Sequence, residues 1–305
     1  MRMTSQARKS KKSLKIGMVG LDTSHVPSLI KLINDKKKNH ATIEWGYPGG
    51  SELTSVSHER VMKFTMRAAQ LGVNILEDLE AIGEQSDAIL LESCDGRQHL
   101  DQFKVLAPFG KPVFMDKPFT CSVADAKEIA RLSEKHGSPV FSSSSLRYAK
   151  NIHRAASGKQ PLLVEAHGPI SILADYPGWF WYGVHVAEIL YELLGPGAID
   201  VSVRSSDTFD VVTSKWKDDR VGVSIGYRGD PYHDWGARMW FPSGPESTIA
   251  AKNPSFMALM VPHVLTFFRT GESPVPIDEM IEIMAYLEAV NKARETGKTT
   301  KIIVD

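Results

Sequence analysis

Two basic side chains stand where a proton could be exchanged with a small molecule. Lys117 follows the apolar run Val113-Phe114-Met115, with Asp116 before it and Pro118 behind it. An ammonium at the end of a buried strand can orient a hydroxyl and steady the charge that develops on it. The plainer alternative is a surface lysine in a turn fixed by Pro118. His185 opens the run GVHVAEILYELL, in which Val186, Ile189, Leu190, Leu193 and Leu194 share one apolar stripe. Helical spacing places His185 at the edge of that stripe, with Glu188 and Glu192 on its other side, so that its imidazole can face a cleft. Glu188, one turn along, is the residue that spacing offers to hold that ring. Taking a proton from a hydroxyl requires such an acceptor together with polar groups that orient the oxygen.

Just before that run stand Trp179, Phe180, Trp181 and Tyr182. Large aromatics bury readily, so core packing is one reading. The other is a stacking wall for a ring-shaped substrate, with Trp181 and Tyr182 in contact and Tyr182 a proton donor. Arg147 and Tyr148 form a basic-aromatic pair in which the arginine can meet an anionic ligand, while Tyr232, His233, Asp234 and Trp235 form a second polar-aromatic group without an assigned role. Cys94 and Cys121 have no evident base or metal beside them and are not expected to be catalytic thiols, since reactivity needs a lowered pKa. The chain has 10 histidines, yet no two-histidine helical motif and no tight ligand spacing, so no metal site is expected.

These groups need elements to hold them. From Lys15 to Tyr148 short apolar runs alternate with amphipathic stretches, the pattern of a parallel sheet covered by crossover helices. Strands are expected at 15–20, 41–47, 72–76, 88–91, 112–115 and 139–143, with helices near 24–35, 58–71, 97–107 and 123–136. The last helix has a marked start, because Ser122 with Asp125 three residues on is a capping pattern. After Tyr148 the segments 162–174, 198–215, 220–229 and 236–251 are β-rich, and helices are expected over 182–194, 255–268 and 277–296. The reading is an α/β protein: a doubly wound, Rossmann-type parallel sheet over residues 14–148, followed over 149–305 by an α+β domain with a mostly antiparallel sheet. Ligands of doubly wound sheets bind at the carboxyl ends of the strands, where the strand order switches.

Composition narrows the function classes. Of 305 residues, 42% are hydrophobic and 24% charged, ordinary for a globular chain, and 36 basic residues balance 36 acidic ones. That neutral sum hides an asymmetry: residues 1–15 hold Arg2, Arg8, Lys9, Lys11, Lys12 and Lys15 with no acid, so that segment carries +6 and the remainder −6. Residues 1–13 read as a solvated, disordered basic tail, and nothing implies a nucleic-acid partner for the body. No run of about 18 apolar residues exists to span a membrane. Two isolated cysteines cannot build a disulfide framework, which suits a reducing cytoplasm.

Four segments in order resemble a known group: KIGMVGLDTSH, PVFMDKPFTCSVADAKEIARLSEKHG, WYGVHVAEILYELLG and TGESPVPIDEMIEIMAYLEAVNKARETGK. Together they are similar to the Gfo/Idh/MocA family, the glucose-fructose oxidoreductase and inositol dehydrogenase group, from Leu14 to the end of the chain. The resemblance implies a nucleotide-binding domain followed by an open-faced sheet domain, a cofactor that is NAD or NADP, and oxidation or reduction of a sugar, cyclitol or related polyol hydroxyl. It implies Lys117 and His185 as the catalytic pair, and pairing of exposed sheet faces into a homodimer or homotetramer.

Three departures bear on that expectation. Gly20 matches the first glycine of the family's Gly-x-Gly-x-x-Gly turn, but Asp22 and His25 replace the second and third. A carboxylate beside a pyrophosphate is unfavourable, whereas Thr23, Ser24, a protonated His25 and the helix N-terminus favour it. No acid ends the second strand, where Gly46 and Tyr47 stand; Glu44 and Glu52 are the nearest. Trp181 takes the place of the aspartate that pairs with the family's histidine. The family comparison also points to Ser93, Asp95 and His99 after the fourth strand, and to Asp116 and Pro118 around Lys117, as cofactor contacts. The coincident losses leave open a second reading, a regulatory or non-redox ligand-binding protein derived from this family.

Overall fold

The computed structural model describes residues 13–35, 38–229 and 233–304. The basic tail, apart from Ser13, and Tyr232 therefore lie outside the described residues. The first half forms six parallel strands: β1 (Leu14–Val19), β2 (Ala41–Tyr47), β3 (Asn74–Ile75), β4 (Ala88–Leu91), β5 (Val113–Met115) and β6 (Val140–Ser142), in the spatial order β3-β2-β1-β4-β5-β6. Central strands covered on both faces must be apolar throughout, and all of Ala88 to Leu91 and Val113 to Met115 is buried. The order reverses between β1 and β4, so a crevice opens at the carboxyl ends of β1, β4 and β5.

The crossover helices are α1 (His25–Ile33), α2 (Ser55–Gln70), α3 (Leu79–Gln85), α4 (His99–Leu106) and α5 (Val123–His136). Ser122 caps α5 as its spacing predicts, its Oγ accepting from the Asp125 N–H at 3.1 Å. The third strand is shorter than expected. The segment just after it folds as α3, whose seven residues are too few to display a helical period; its Gly83 is required because a Cβ there would sit 2.2 Å from the Phe109 ring.

The second sheet has seven strands: β7 (Leu163–Pro169), β8 (Ala198–Ser205), β9 (Phe209–Trp216), β10 (Val221–Tyr227), β11 (Gly236–Phe241), β12 (Gly244–Ile249) and β13 (Thr300–Lys301). Only the β7–β10 pair is parallel, so the sheet is mixed and mostly antiparallel, in the order β12-β11-β7-β10-β9-β8-β13. One face packs on α6 (Gly183–Leu194) and α8 (Ile277–Thr296); among the described residues no helix packs on the other. Helix α7 (Phe256–Thr270) and α8 return to the first half and pack on α1 and α5. Among the described residues no helix is long and apolar enough to cross a membrane.

Candidate active site

The carboxyl ends of three neighbouring strands converge. β4 runs into Glu92, β5 runs into Asp116 and Lys117, and the turn after β1 leads to His25 at the start of α1. Main-chain bonds fix this frame: Glu92 N–H donates to Val19 C=O at 2.7 Å and Asp116 N–H to Leu91 C=O at 2.8 Å. His25 Nδ1 lies 2.9 Å from Asp116 Oδ2 and 3.9 Å from Glu92 Oε2. His25 and Lys117 beside it hold the Asp116 carboxyl down, at about 2, against its burial. Glu92 is pushed the other way, well above the carboxylate range, by burial and by Asp116 and Asp22. The sequence pattern did not bring these three together, because their ligand-type atoms come from separate strand ends. The signal available was a charged residue directly after each of two all-apolar strands.

Lys117 is buried, with Nζ 5.3 Å from the Trp181 ring and 5.7 Å from the Tyr182 ring, a cation held over two aromatic faces. His185 stands across from it, 9% exposed, with ring contacts to Tyr182 (5.4 Å) and Trp235 (5.1 Å). Burial first, then Lys117 and His25, push the His185 pKa well below its ordinary value, with Asp116 opposing. Trp181 packs edge-on against Tyr176 and Tyr182 is half-buried. The fold thus brings Lys117, His185, Trp181 and Tyr182 into one group.

Other expectations are corrected. Glu188 does not hold His185: the imidazole Nδ1 is 2.6 Å from Ser144 Oγ, and Glu188 pairs with Arg147 at 2.7 Å. Arg147 meets no ligand, because its buried guanidinium is also paired with Glu192 at 3.4 Å and Glu279 at 2.8 Å. Ser144, within the run Ser142–Ser145, is a site residue that sequence reasoning passed over. The cysteines behave as expected for inert thiols: burial, reinforced by Asp22, raises Cys94, and burial pushes Cys121 up to about 12.

The glycine turn is built around internal contacts. Gly20 has φ +83°, and a Cβ there would strike Ser93 at 2.3 Å. Asp22 is fully buried and points away from the turn's outer surface, accepting from Ser57 Oγ at 2.6 Å and Cys94 N–H at 3.0 Å. The expected repulsion between its carboxylate and a pyrophosphate is thereby removed. Ser93 donates to Gln102, Asp95 is held by Ser51 (2.6 Å) and Arg97, and His99 is fixed between Phe119 C=O and Ser93 C=O. Pro118 packs beneath Gly96. These four, with Asp22, are structural in this conformation rather than facing a ligand. Glu44 pairs with Lys15 at 3.5 Å, so no carboxylate marks the end of β2.

The segment 48–54 crosses this turn. Gly49 lies against Gly20, Gln98 donates to Gly50 C=O at 2.8 Å, and Ser51 N–H donates to Ser57 Oγ at 2.7 Å. Asp175 and Tyr176, from beyond β7, clamp the same region through Ser55 and Gly96. What stays open is the start of α1: Ser24 is exposed, makes no side-chain cap, and no acid occupies the first turn. A helix N-terminus so arranged fits a phosphate. The start of α1 therefore fits the phosphate end of a dinucleotide, while segment 48–54 lies across the adjoining turn.

Residues 14–144 match the Gfo/Idh/MocA family, an oxidoreductase family with an NAD-binding Rossmann fold. That match spans the six-stranded parallel sheet and gives it an NAD-binding Rossmann fold. Solved structures share the fold over nearly the whole of this chain. A protein from Thermotoga maritima described as a probable dehydrogenase is 17% identical with a TM-score of 0.76, covering 95% of this chain and 99% of its own. Myo-inositol dehydrogenase from Lactobacillus casei, in complex with NAD(H) and myo-inositol, is 15% identical with a TM-score of 0.75, covering 96% and 97%. An oxidoreductase from Agrobacterium radiobacter, in complex with NAD+, L-tartaric acid and magnesium, is 14% identical with a TM-score of 0.73, covering 95% and 98%. Among curated proteins no sequence matches.

Proposed function

We propose that this chain is a Gfo/Idh/MocA-type, NAD(P)-dependent oxidoreductase acting on a hydroxyl of a sugar, cyclitol or related polyol. The observation that carries the reading is the meeting of Lys117, His185 and Tyr182 beside the carboxyl end of β5, where a doubly wound sheet receives its ligands. The shared fold of the Lactobacillus casei myo-inositol dehydrogenase supports it.

Each side chain has a distinct task. Thr23, Ser24 and the first-turn N–H groups of α1 receive the pyrophosphate. When bound, the dinucleotide supplies the carbon that accepts or returns the hydride. Lys117 donates to the reacting oxygen and steadies its negative charge. His185, kept neutral by burial, turns Nδ1 toward Ser144 and leaves Nε2 to take the hydroxyl proton. Ser144 is a positioning residue, fixing the ring through an Oγ that also accepts from Leu146 N–H at 3.1 Å. Trp181, Tyr182 and Trp235 exclude water and offer apolar faces to a ring.

Titrating NADH and NADPH against intrinsic tryptophan fluorescence tests this directly; failure of both to bind at millimolar concentration overturns it. One observation favours a second reading, a non-redox or regulatory ligand-binding protein: the segment 48–54 lies across the glycine turn. Tight nicotinamide binding with polyol-dependent turnover eliminates that reading.

A further inference from the structure

We propose that His25, Glu92 and Asp116 form a site for one divalent transition-metal cation, of the manganese(II) or zinc(II) type. Their ligand-type atoms, one imidazole nitrogen and two carboxylate oxygens, all lie within 4.8 Å of one another. Ligand atoms about 2.1 Å from a metal are about 3.0 Å apart at a right angle and about 4.2 Å apart when opposed. The 2.9 Å between His25 Nδ1 and Asp116 Oδ2 and the 3.9 Å between His25 Nδ1 and Glu92 Oε2 fall on that scale.

A second, independent observation comes from Glu92. It is 0% exposed, and neither of its carboxylate oxygens has a hydrogen-bond partner. A buried carboxylate is ordinarily hydrogen-bonded, paired or coordinated to a metal, because leaving it bare is costly. His25 Nδ1, though 2.9 Å from Asp116, also makes no hydrogen bond of proper geometry. The Lys117 ammonium, which acts on Glu92 through space, is turned to the faces of Trp181 and Tyr182. A divalent cation satisfies all of these atoms at once and balances the two negative charges.

The donor set selects the kind of ion. Two oxygens and one imidazole nitrogen suit a first-row transition cation better than magnesium, which prefers an all-oxygen octahedron. Three protein ligands leave positions for water or a substrate oxygen. The way in is on the side of His25, whose side chain is 26% exposed while those of Glu92 and Asp116 are nearly closed off. The site goes beyond the redox reading and is tested without turnover, so either can fail alone.

The experiment uses the full chain stripped with EDTA. Manganese(II) is titrated while the free aqueous ion is followed by electron paramagnetic resonance, zinc(II) by calorimetry, and magnesium(II) serves as the comparison. The expected result is one site per chain, saturated below millimolar manganese or zinc, with magnesium weaker. Pulsed resonance on bound manganese should show coupling to an imidazole nitrogen that disappears in His25→Ala. Glu92→Gln, which keeps the shape and removes a buried charge, should weaken binding at least about 100-fold; Asp116→Asn should do the same, with circular dichroism unchanged. No binding at millimolar manganese and zinc overturns the proposal. So does binding that persists unchanged in folded Glu92→Gln.

Discussion

Lys117 reaches the crevice with its ammonium over two aromatic rings, near enough to Asp116 and Glu92 to favour their charged forms, and is placed to act on a substrate oxygen. Lys117→Ala should lower kcat by about 10²–10³-fold, the ordinary worth of a donor aimed at a developing oxyanion, with NADH affinity nearly unchanged. Surviving activity would mean that the reacting edge lies elsewhere. His185 gives a pH test with a definite sign. Its acceptor role requires the neutral ring, and burial together with Lys117 and His25 lowers its pKa, with Asp116 opposing. Activity should therefore stay level as pH falls through about 6.5, where an ordinary histidine gains its proton, and decline only below. A kcat/KM profile breaking at or above that value would remove His185 as the base. The sequence put each near an element boundary, and the family resemblance supplied the roles that these tests examine. Ser144 and Glu92 were not legible there, since what matters is which strand end each faces across the crevice.

At the scale of elements, Arg147 shows where local reading fails. A basic-aromatic pair after the last parallel strand suggests anion binding, but its three glutamates arrive from α6 and α8, far along the chain. The guanidinium ties those helices to the end of the first sheet. Removing one partner of a buried ionic group leaves the others uncompensated, so Arg147→Met should lose about 3–5 kcal/mol in urea unfolding. A loss under about 1 kcal/mol would show that the glutamates find other partners. The segment 48–54 is a second case: nothing in its glycines announced that it would lie over the turn. Ser57 bridges it to the glycine turn, its Oγ accepting from Ser51 N–H and donating to Asp22. Ser57→Ala should speed amide exchange across 49–53 and tighten NADH binding about fivefold or more, because a larger share of molecules is then open. Unchanged affinity with faster exchange would mean that the segment does not stand in the dinucleotide's way. The helices with strong periodicity and a marked cap, such as α5, could be read directly, whereas α3 and the two-residue β3 carry too few residues to show a period.

The whole molecule places its crevice between two sheets of opposite grammar, and that contrast was visible in the chain: apolar runs alternating with helices, then β-rich segments with turn residues. The same alternation has a consequence for assembly. Along β10 the residues Val221, Val223, Ile225 and Tyr227 point away from α6 and are only half-buried, while the intervening residues are buried. β11, one strand beyond β7, presents Trp240 on that open side, 41% exposed, and adjacent β9 presents Phe209 at 41%. Outward positions of a solvated sheet face are usually polar; β-branched and aromatic residues there fit burial against a like surface, and a two-fold axis brings the same patch of a second copy into place. Light scattering on the eluted protein should then give a multiple of the 33.8 kDa chain mass. Trp240→Glu would set like charges against each other across the axis and should shift the species toward the monomer. It should do so without loss of cooperative unfolding, because the side chain lies outside the core. A parent protein that already elutes at the single-chain mass would mean that the apolar face is solvated as it stands, and that the crevice is complete within one chain.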